Sequence, residues 1–161
     1  MKKKNICILY GGKSGEHEVS LRSAASVAAN LDPEKYDITM IGIDKKGKWF
    51  LQPPGTPERG GGELSIITDS SAAVAVLPSE GFSVKGEKLD IDFVFPILHG
   101  TFGEDGTVQG LLELADIPYA GSGVMGSSVA MDKEIIKKIW MAEGLDTVPF
   151  ISISDDHLNQ A

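Results

Sequence analysis

The chain opens on an almost wholly apolar run, residues 5–10 (NICILY), that stops at Gly11 and Gly12. A run of that length without polar alternation suits a central strand of a parallel sheet, buried on both faces. The period then changes. Leu21, Ala24, Ala25 and Ala28 stand at i, i+3, i+4 and i+7 and lay one apolar stripe along a helix that Asp32-Pro33 ends. Residues 36–43 (YDITMIGI) return to a strand pattern. Strand, helix and strand in that order predict a βαβ unit, and with it an α/β fold with right-handed crossovers.

Residues 42–90 are less regular. Pro53, Pro54, Pro57 and the glycines Gly60, Gly61 and Gly62 mark loop, with short strands expected at 73–77 and 82–84, so the stretch reads as a peripheral elaboration. Residues 92–98 (DFVFPIL) form the next core strand, with Pro96, which has no N–H, near its end. Val108, Leu111, Leu112 and Ala115 repeat the apolar stripe and predict a helix over 107–115 packed on the sheet. Residues 117–120 lead into GSGVMGSS, and a helix over about 132–143 follows, carrying Ile135, Ile136, Ile139 and Trp140 and closed by Gly144. Residues 148–153 suit the start of another sheet, and Ser154-Asp155-Asp156 is a helix-start signal whose helix is not among the 161 residues. The fold class expected is α/β, a Rossmann-like open, mainly parallel sheet with flanking helices, with a second unit beginning near residue 123.

Charge narrows the function classes. With 15 basic against 23 acidic residues the formal charge is -8, which argues against a broad basic surface for nucleic acid or an anionic membrane but not against a local phosphate pocket. The apolar run after Lys2, Lys3 and Lys4 is too short for a secretory core, and no run reaches membrane-spanning length. The one cysteine, Cys7, lies in the first strand and reads as a small buried hydrophobe, with no intrachain disulfide or thiol metal cluster available to it. A cytoplasmic protein without nucleic-acid or membrane partners is expected.

Three glycine-bearing loops follow predicted strands, where ligands of open α/β sheets gather, so the loops are candidates to converge. The first, residues 11–20 (GGKSGEHEVS), leads into a helix start whose free N–H groups favour an anion, yet places Glu16 and Glu18 there. Such a carboxylate either complements the helix dipole or holds a substrate ammonium while backbone amides hold an anionic group. The second, residues 99–106 (HGTFGEDG), puts His99 at a strand tip as a hydrogen-bonded structural residue or a substrate contact, with Glu104 and Asp105 as alternative helix caps. The third, Gly121-Ser122-Gly123-Val124-Met125-Gly126, spells G-x-G-x-x-G outside a first βαβ unit. The position about twenty residues on, Glu143, falls inside a predicted helix, so the match to a dinucleotide fingerprint is weak. Lys133 stands at a helix start, where the dipole disfavours a cation, which suits either a phosphate partner or a solvated lysine beside Asp132. His17 and His157 read as exposed.

Taken together, GGKSGEHEVS at 11–20, HGTFGEDGTVQG at 99–110 and GSGVMGSSVAMDK at 121–133 resemble the D-alanine:D-alanine ligase family, in this order and roughly this spacing over nearly the whole chain. Gly15 departs mildly, standing where serine or alanine is common in relatives. The resemblance implies an amino-terminal substrate-binding α/β domain, residues 1–122, before an ATP-grasp pair of domains of which residues 123–161 are the beginning. It implies that Glu16 is the catalytic residue and holds the ammonium of the first D-alanine, that Val19, His99 and Gly100 line the same substrate, and that Lys133 reaches ATP phosphate. ATP would phosphorylate the first D-alanine carboxylate. The amine of the second D-alanine would then attack the acyl phosphate to give the dipeptide used for peptidoglycan precursors. Mg2+ would clamp the phosphates through ligands outside these residues. The resemblance also implies a homodimer, leaves D-alanine, D-lactate or D-serine open as second substrate, and predicts that the 161-residue piece folds without ligating. Two other readings stay open: a non-catalytic amino-acid or nucleotide-binding module acting as regulator or dimer partner, and a small nucleotide-binding oxidoreductase domain built on Gly121–Gly126.

Overall fold

A computed structural model of the chain describes residues 2–55 and 62–153. In chain order it contains β1 (Lys4–Gly11), α1 (His17–Asn30), β2 (Tyr36–Ile43), β3 (Trp49–Leu51), a 3₁₀ turn (Ser70–Ala72), β4 (Val74–Leu77), β5 (Gly81–Val84), β6 (Glu87–Lys88), β7 (Phe93–Ile97), α2 (Thr107–Leu114), α3 (Val124–Met131) and α4 (Lys133–Ala142). The main sheet has the order β3-β2-β1-β7. β2 and β7 both run parallel to β1, while β3 adds an antiparallel edge to β2. β1 is thus the central strand that its apolar run predicts.

Burial alternates along β1 between two cores, which is why the run has no polar positions. Ile8 and Tyr10 join Met40, Ile97 and the α1 stripe of Leu21, Ala24 and Ala28 on one face. Cys7 and Leu9 join Ile41, Val94 and the α2 residues Val108 and Leu112 on the other. Burial pushes the Cys7 thiol up, which leaves it inert, and pushes the Tyr10 phenol up to about 12. Because β2 and β7 flank β1 on opposite sides, with α1 and α2 on opposite faces, the connections diverge at the carboxyl ends of β1 and β7. A crevice at that point is the standard ligand position in an open α/β sheet. Pro96 sits next to last in β7, as expected.

Several expectations need correction. Residues 42–90 are more than peripheral: β3 extends the main sheet, and Phe82 of the β4-β5-β6 sheet is 1% exposed in the α2-side core. Its ring packs edge-on against Trp49, with centroids 5.7 Å apart. The glycine-rich loop expected after residue 120 gives way at Gly123, which caps the extra helix α3; the apolar residues of α3 form no stripe, and only Ser127 of it is buried. Residues 148–153 form no strand, and Val148, Ile151 and Ile153 are exposed because no neighbouring strand among the described residues receives them. His17 is buried, at 6% exposure, not exposed as expected. His157 and the helix-start signal at 154–156 lie outside the described residues.

Candidate active site

The crevice is assembled from the turn after β1, the first two turns of α1 and the loop after β7. At Gly11 the chain leaves the sheet with φ +90°, and a side chain there would overlap the Ile43 carbonyl, so only glycine serves. The Gly12 N–H then donates to the same Ile43 carbonyl at 2.8 Å, which ties the turn to β2.

Helix α1 holds both loops through a line of polar residues. His17 Nδ1 lies 2.8 Å from the Gly12 carbonyl oxygen, which explains its burial. Ser20 is fully buried: its hydroxyl accepts from the Gly11 N–H at 2.7 Å and donates to the Ile97 carbonyl, so one side chain bridges the ends of β1 and β7. Ser23 Oγ lies 3.2 Å from His99 Nε2 and anchors the imidazole at the tip of β7. Ser20 and Ser23 were given no role in the sequence and His17 was read as exposed, although their spacing of three along the helix places them one above another.

Glu16 is the N-cap residue of α1, yet its side chain makes no capping hydrogen bond. It reaches across to the second loop, so close that a Cβ on Gly100 would lie 2.5 Å from Glu16 Oε2. Gly100 has φ +69°, a second reason that position requires glycine. The dipole-complementing role falls to Glu18 in the first turn, whose carboxyl is held below its usual range by a hydrogen bond from Lys45. Val19 is one turn beyond Glu16 and 40% exposed. Glu16, Val19 and Ser23 share the spacing of one helix face, whose ends meet the second loop at Gly100, through Glu16, and at His99, through Ser23.

The second loop is tied together by its own carboxylates. Glu104 Oε2 accepts from the Gly100 N–H at 2.7 Å, and Asp105 accepts from the N–H groups of Phe102 at 2.9 Å and Thr107 at 3.0 Å. Burial alone would raise the Asp105 carboxyl, but the N–H groups of Phe102 and Thr107 outweigh it and hold the group below its usual range. Of the two cap candidates, Asp105 therefore serves the start of α2 while Glu104 serves the loop. Phe102 takes φ +67°, strained for a bulky residue, and is 46% exposed. Gln109 Nε2 donates to the Gly103 carbonyl at 2.9 Å, a further buried clamp on the loop.

Lys133 is not brought to this group. It begins α4, exposed, and its Nζ donates to the Ala130 carbonyl at 3.3 Å. Asp132 caps α4 by accepting from the N–H groups of Glu134 and Ile135, which answers the expected dipole conflict without a phosphate. The third loop does approach the second: Ser128 Oγ of α3 donates to the Asp105 carbonyl at 2.8 Å. Among the described residues no three His, Cys, Asp or Glu side chains cluster to hold a metal ion, and no helix is long and apolar enough to cross a membrane.

An open, mainly parallel α/β sheet thus carries Glu16, Gly100 and His99 near the carboxyl ends of β1 and β7, where ligands of such sheets ordinarily sit. The chain belongs to the D-alanine–D-alanine ligase family: the model of the D-ala D-ala ligase N-terminus matches residues 5–122. It is similar to the D-alanine–D-alanine ligase of Treponema denticola, 47% identical over 157 residues that make up 92% of this chain and 42% of that protein. Among solved structures it resembles the D-alanine-D-alanine ligase from Coxiella burnetii, with a TM-score of 0.76 and 33% identity over 92% of this chain and 44% of that one. It also resembles the VanG D-Ala:D-Ser ligase from Enterococcus faecalis, with a TM-score of 0.75 and 34% identity over 89% of this chain and 43% of that one. The chain therefore spans less than half the length of these relatives, and corresponds to an amino-terminal portion of them.

Proposed function

We propose that the chain is the first-substrate domain of an ATP-dependent D-alanine:D-alanine ligase that supplies peptidoglycan precursors in the cytoplasm, and that it acts as part of a longer homodimeric protein. The observation that carries this reading is the meeting of the Glu16 carboxylate with Gly100, which leaves an uncapped negative charge at a crevice bordered by Val19 and His99. A carboxylate there suits the ammonium of an amino acid, and the absence of a Cβ at position 100 is what lets the Glu16 carboxylate reach the second loop.

ATP is the phosphoryl donor in this reading, and Lys133 is the residue of this chain that would meet its phosphates. The fit is partial: the Lys133 side chain is exposed, with its Nζ donating to the Ala130 carbonyl, and the N–H groups at the start of α4 are already held by Asp132. The described carboxylates do not converge as a Mg2+ site requires, so no step is assigned to that ion on this chain. Residues 123–161 are read as the beginning of the ATP-grasp part, which accords with the unburied apolar face of α4. The second substrate stays unassigned among D-alanine, D-lactate and D-serine, since a D-alanine-D-alanine ligase and a D-Ala:D-Ser ligase are both similar to this chain.

The test is a titration of the chain with D-alanine followed by amide and imidazole NMR. Shifts are expected at Val19, His99 and Gly100, and Glu16→Gln should weaken binding about tenfold or more, the scale of one charge-assisted hydrogen bond. The chain alone should show no D-alanine-dependent ATP hydrolysis. Shifts confined to other residues, or binding indifferent to Glu16→Gln, would sink the assignment.

A further inference from the structure

A cavity of about 600 Å³ adjoins the crevice and shares with it the turn after β1 and the loop after β7. Of the residues assigned above to substrate and nucleotide only His99 lines it, while Glu16, Val19, Gly100 and Lys133 do not. It opens on the α2 side of the sheet, with apolar walls from Ile43, Trp49, Leu98, Val108 and Leu111. No aspartate or glutamate is among its lining residues, so it has nothing to hold an ammonium group and does not suit an amino acid.

Its mouth carries the opposite charge. Lys13 and Lys46 both line the cavity, and the Lys13 side chain lies near the turn that bears Lys46, since a Cβ on Gly47 would lie 3.7 Å from Lys13 Cδ. Lys13 Nζ stands 5.7 Å from the centroid of the Phe102 ring, which is exposed at the same mouth. Among the described residues neither lysine enters an ion pair, whereas the adjacent Lys45 is committed to Glu18. Two uncommitted cations over an apolar, aromatic-walled cavity, in a chain of net charge -8, form a local exception to the charge of the whole. An apolar body would leave water inside the cavity while an anionic head stays at the rim between the ammonium groups.

We propose that this cavity is a second ligand site, distinct from the D-alanine crevice, that takes a small organic anion with a flat apolar body. The body lies against Trp49, Val108 and Leu111, and the carboxylate or phosphate head sits between Lys13 and Lys46. The site stands whether or not the ligase reading does, because it uses neither Glu16 nor Lys133.

The experiment is a fluorescence titration of the chain carrying Trp140→Phe, which leaves Trp49 as the one tryptophan. The probe is 2-naphthoate, an acceptor of tryptophan emission, compared with the neutral 2-naphthylmethanol. Saturable quenching of Trp49 is expected, at least fivefold tighter for the anion. The double substitution Lys13→Met with Lys46→Met should weaken naphthoate about tenfold and leave the neutral probe within twofold. Both lysines are exposed, so the fold survives, and an unchanged circular dichroism spectrum checks that. Glu16→Gln should leave naphthoate binding within twofold. Quenching without saturation, equal affinity for the neutral probe, or indifference to the double substitution would overturn the site. A loss of naphthoate binding in Glu16→Gln would place the ligand in the crevice instead.

Discussion

Helices α1 and α4 carry the same kind of sequence pattern and meet opposite fates. In α1 the apolar stripe is spent: Leu21, Ala24, Ala25 and Ala28 are 8%, 0%, 3% and 0% exposed against β1, β2 and β7. In α4 the residues Ile135, Ile139 and Trp140 remain 46%, 41% and 42% exposed, and no residue of the helix is buried. What keeps α4 in place is local, namely the Asp132 cap, a Lys138–Glu134 pair and packing on α3. An amphipathic pattern therefore states that a helix requires a partner. It does not state that the partner is present among the described residues.

The comparison breaks first on core packing. Leu112→Ala, at a fully buried position facing β1, should cost about 3 kcal/mol in urea unfolding, the usual scale for a leucine deletion. Ile139→Ala on α4 should cost less than about 0.5 kcal/mol, as expected of a half-exposed site. Equal losses would mean that α4 is packed as tightly as α2. A smaller effect tests the polar line of α1: Ser20→Ala leaves the Gly11 N–H and the Ile97 carbonyl without their shared hydroxyl, at a cost of about 1–3 kcal/mol. Faster amide exchange at Gly11 should accompany that loss, and its absence would show that the bridge is dispensable.

The smallest expected effect concerns acid. Asp105 has its carboxyl lowered in the folded loop, so its contribution is fully present above the unfolded value near 4 and is lost as pH falls through the folded value. Amide exchange at Phe102 and Thr107 should accelerate below about pH 4, while α1 keeps its protection. An identical acid response in Asp105→Asn would show that other carboxylates govern the loop.

Much of this was legible beforehand because the deciding interactions are short in range or repeat along the chain. The strands β1, β2 and β7 and the helices α1 and α2 follow from runs and stripes that reflect burial on a known period. Helix α3 was missed because three glycines hid it, and β3 because a three-residue edge strand has too few positions to show a period. The burial of His17 was missed for a different reason: a histidine goes inside only where a partner awaits it, and the Gly12 carbonyl is set there by the turn at Gly11. The role of Glu16 stood between dipole complement and ligand contact, and the three-dimensional neighbour Gly100 is what separates it from Glu18.

The sequence by itself determined the main strands and helices, their order, the placing of two glycine loops after β1 and β7 and, through the motifs, the family. Those are properties of local pattern, written in hydrophobic period and in residue types that a turn or cap requires. Only the tertiary structure decided which loops meet. The parallel pairing of β7 beside β1 brings Gly100 to Glu16 and His99 to Ser23, although they are remote along the chain, while Lys133 stays apart. It alone decided that a cavity of about 600 Å³ would open toward α2 with lysines at its mouth, because cavities arise where packed elements fail to meet, and no local period records that.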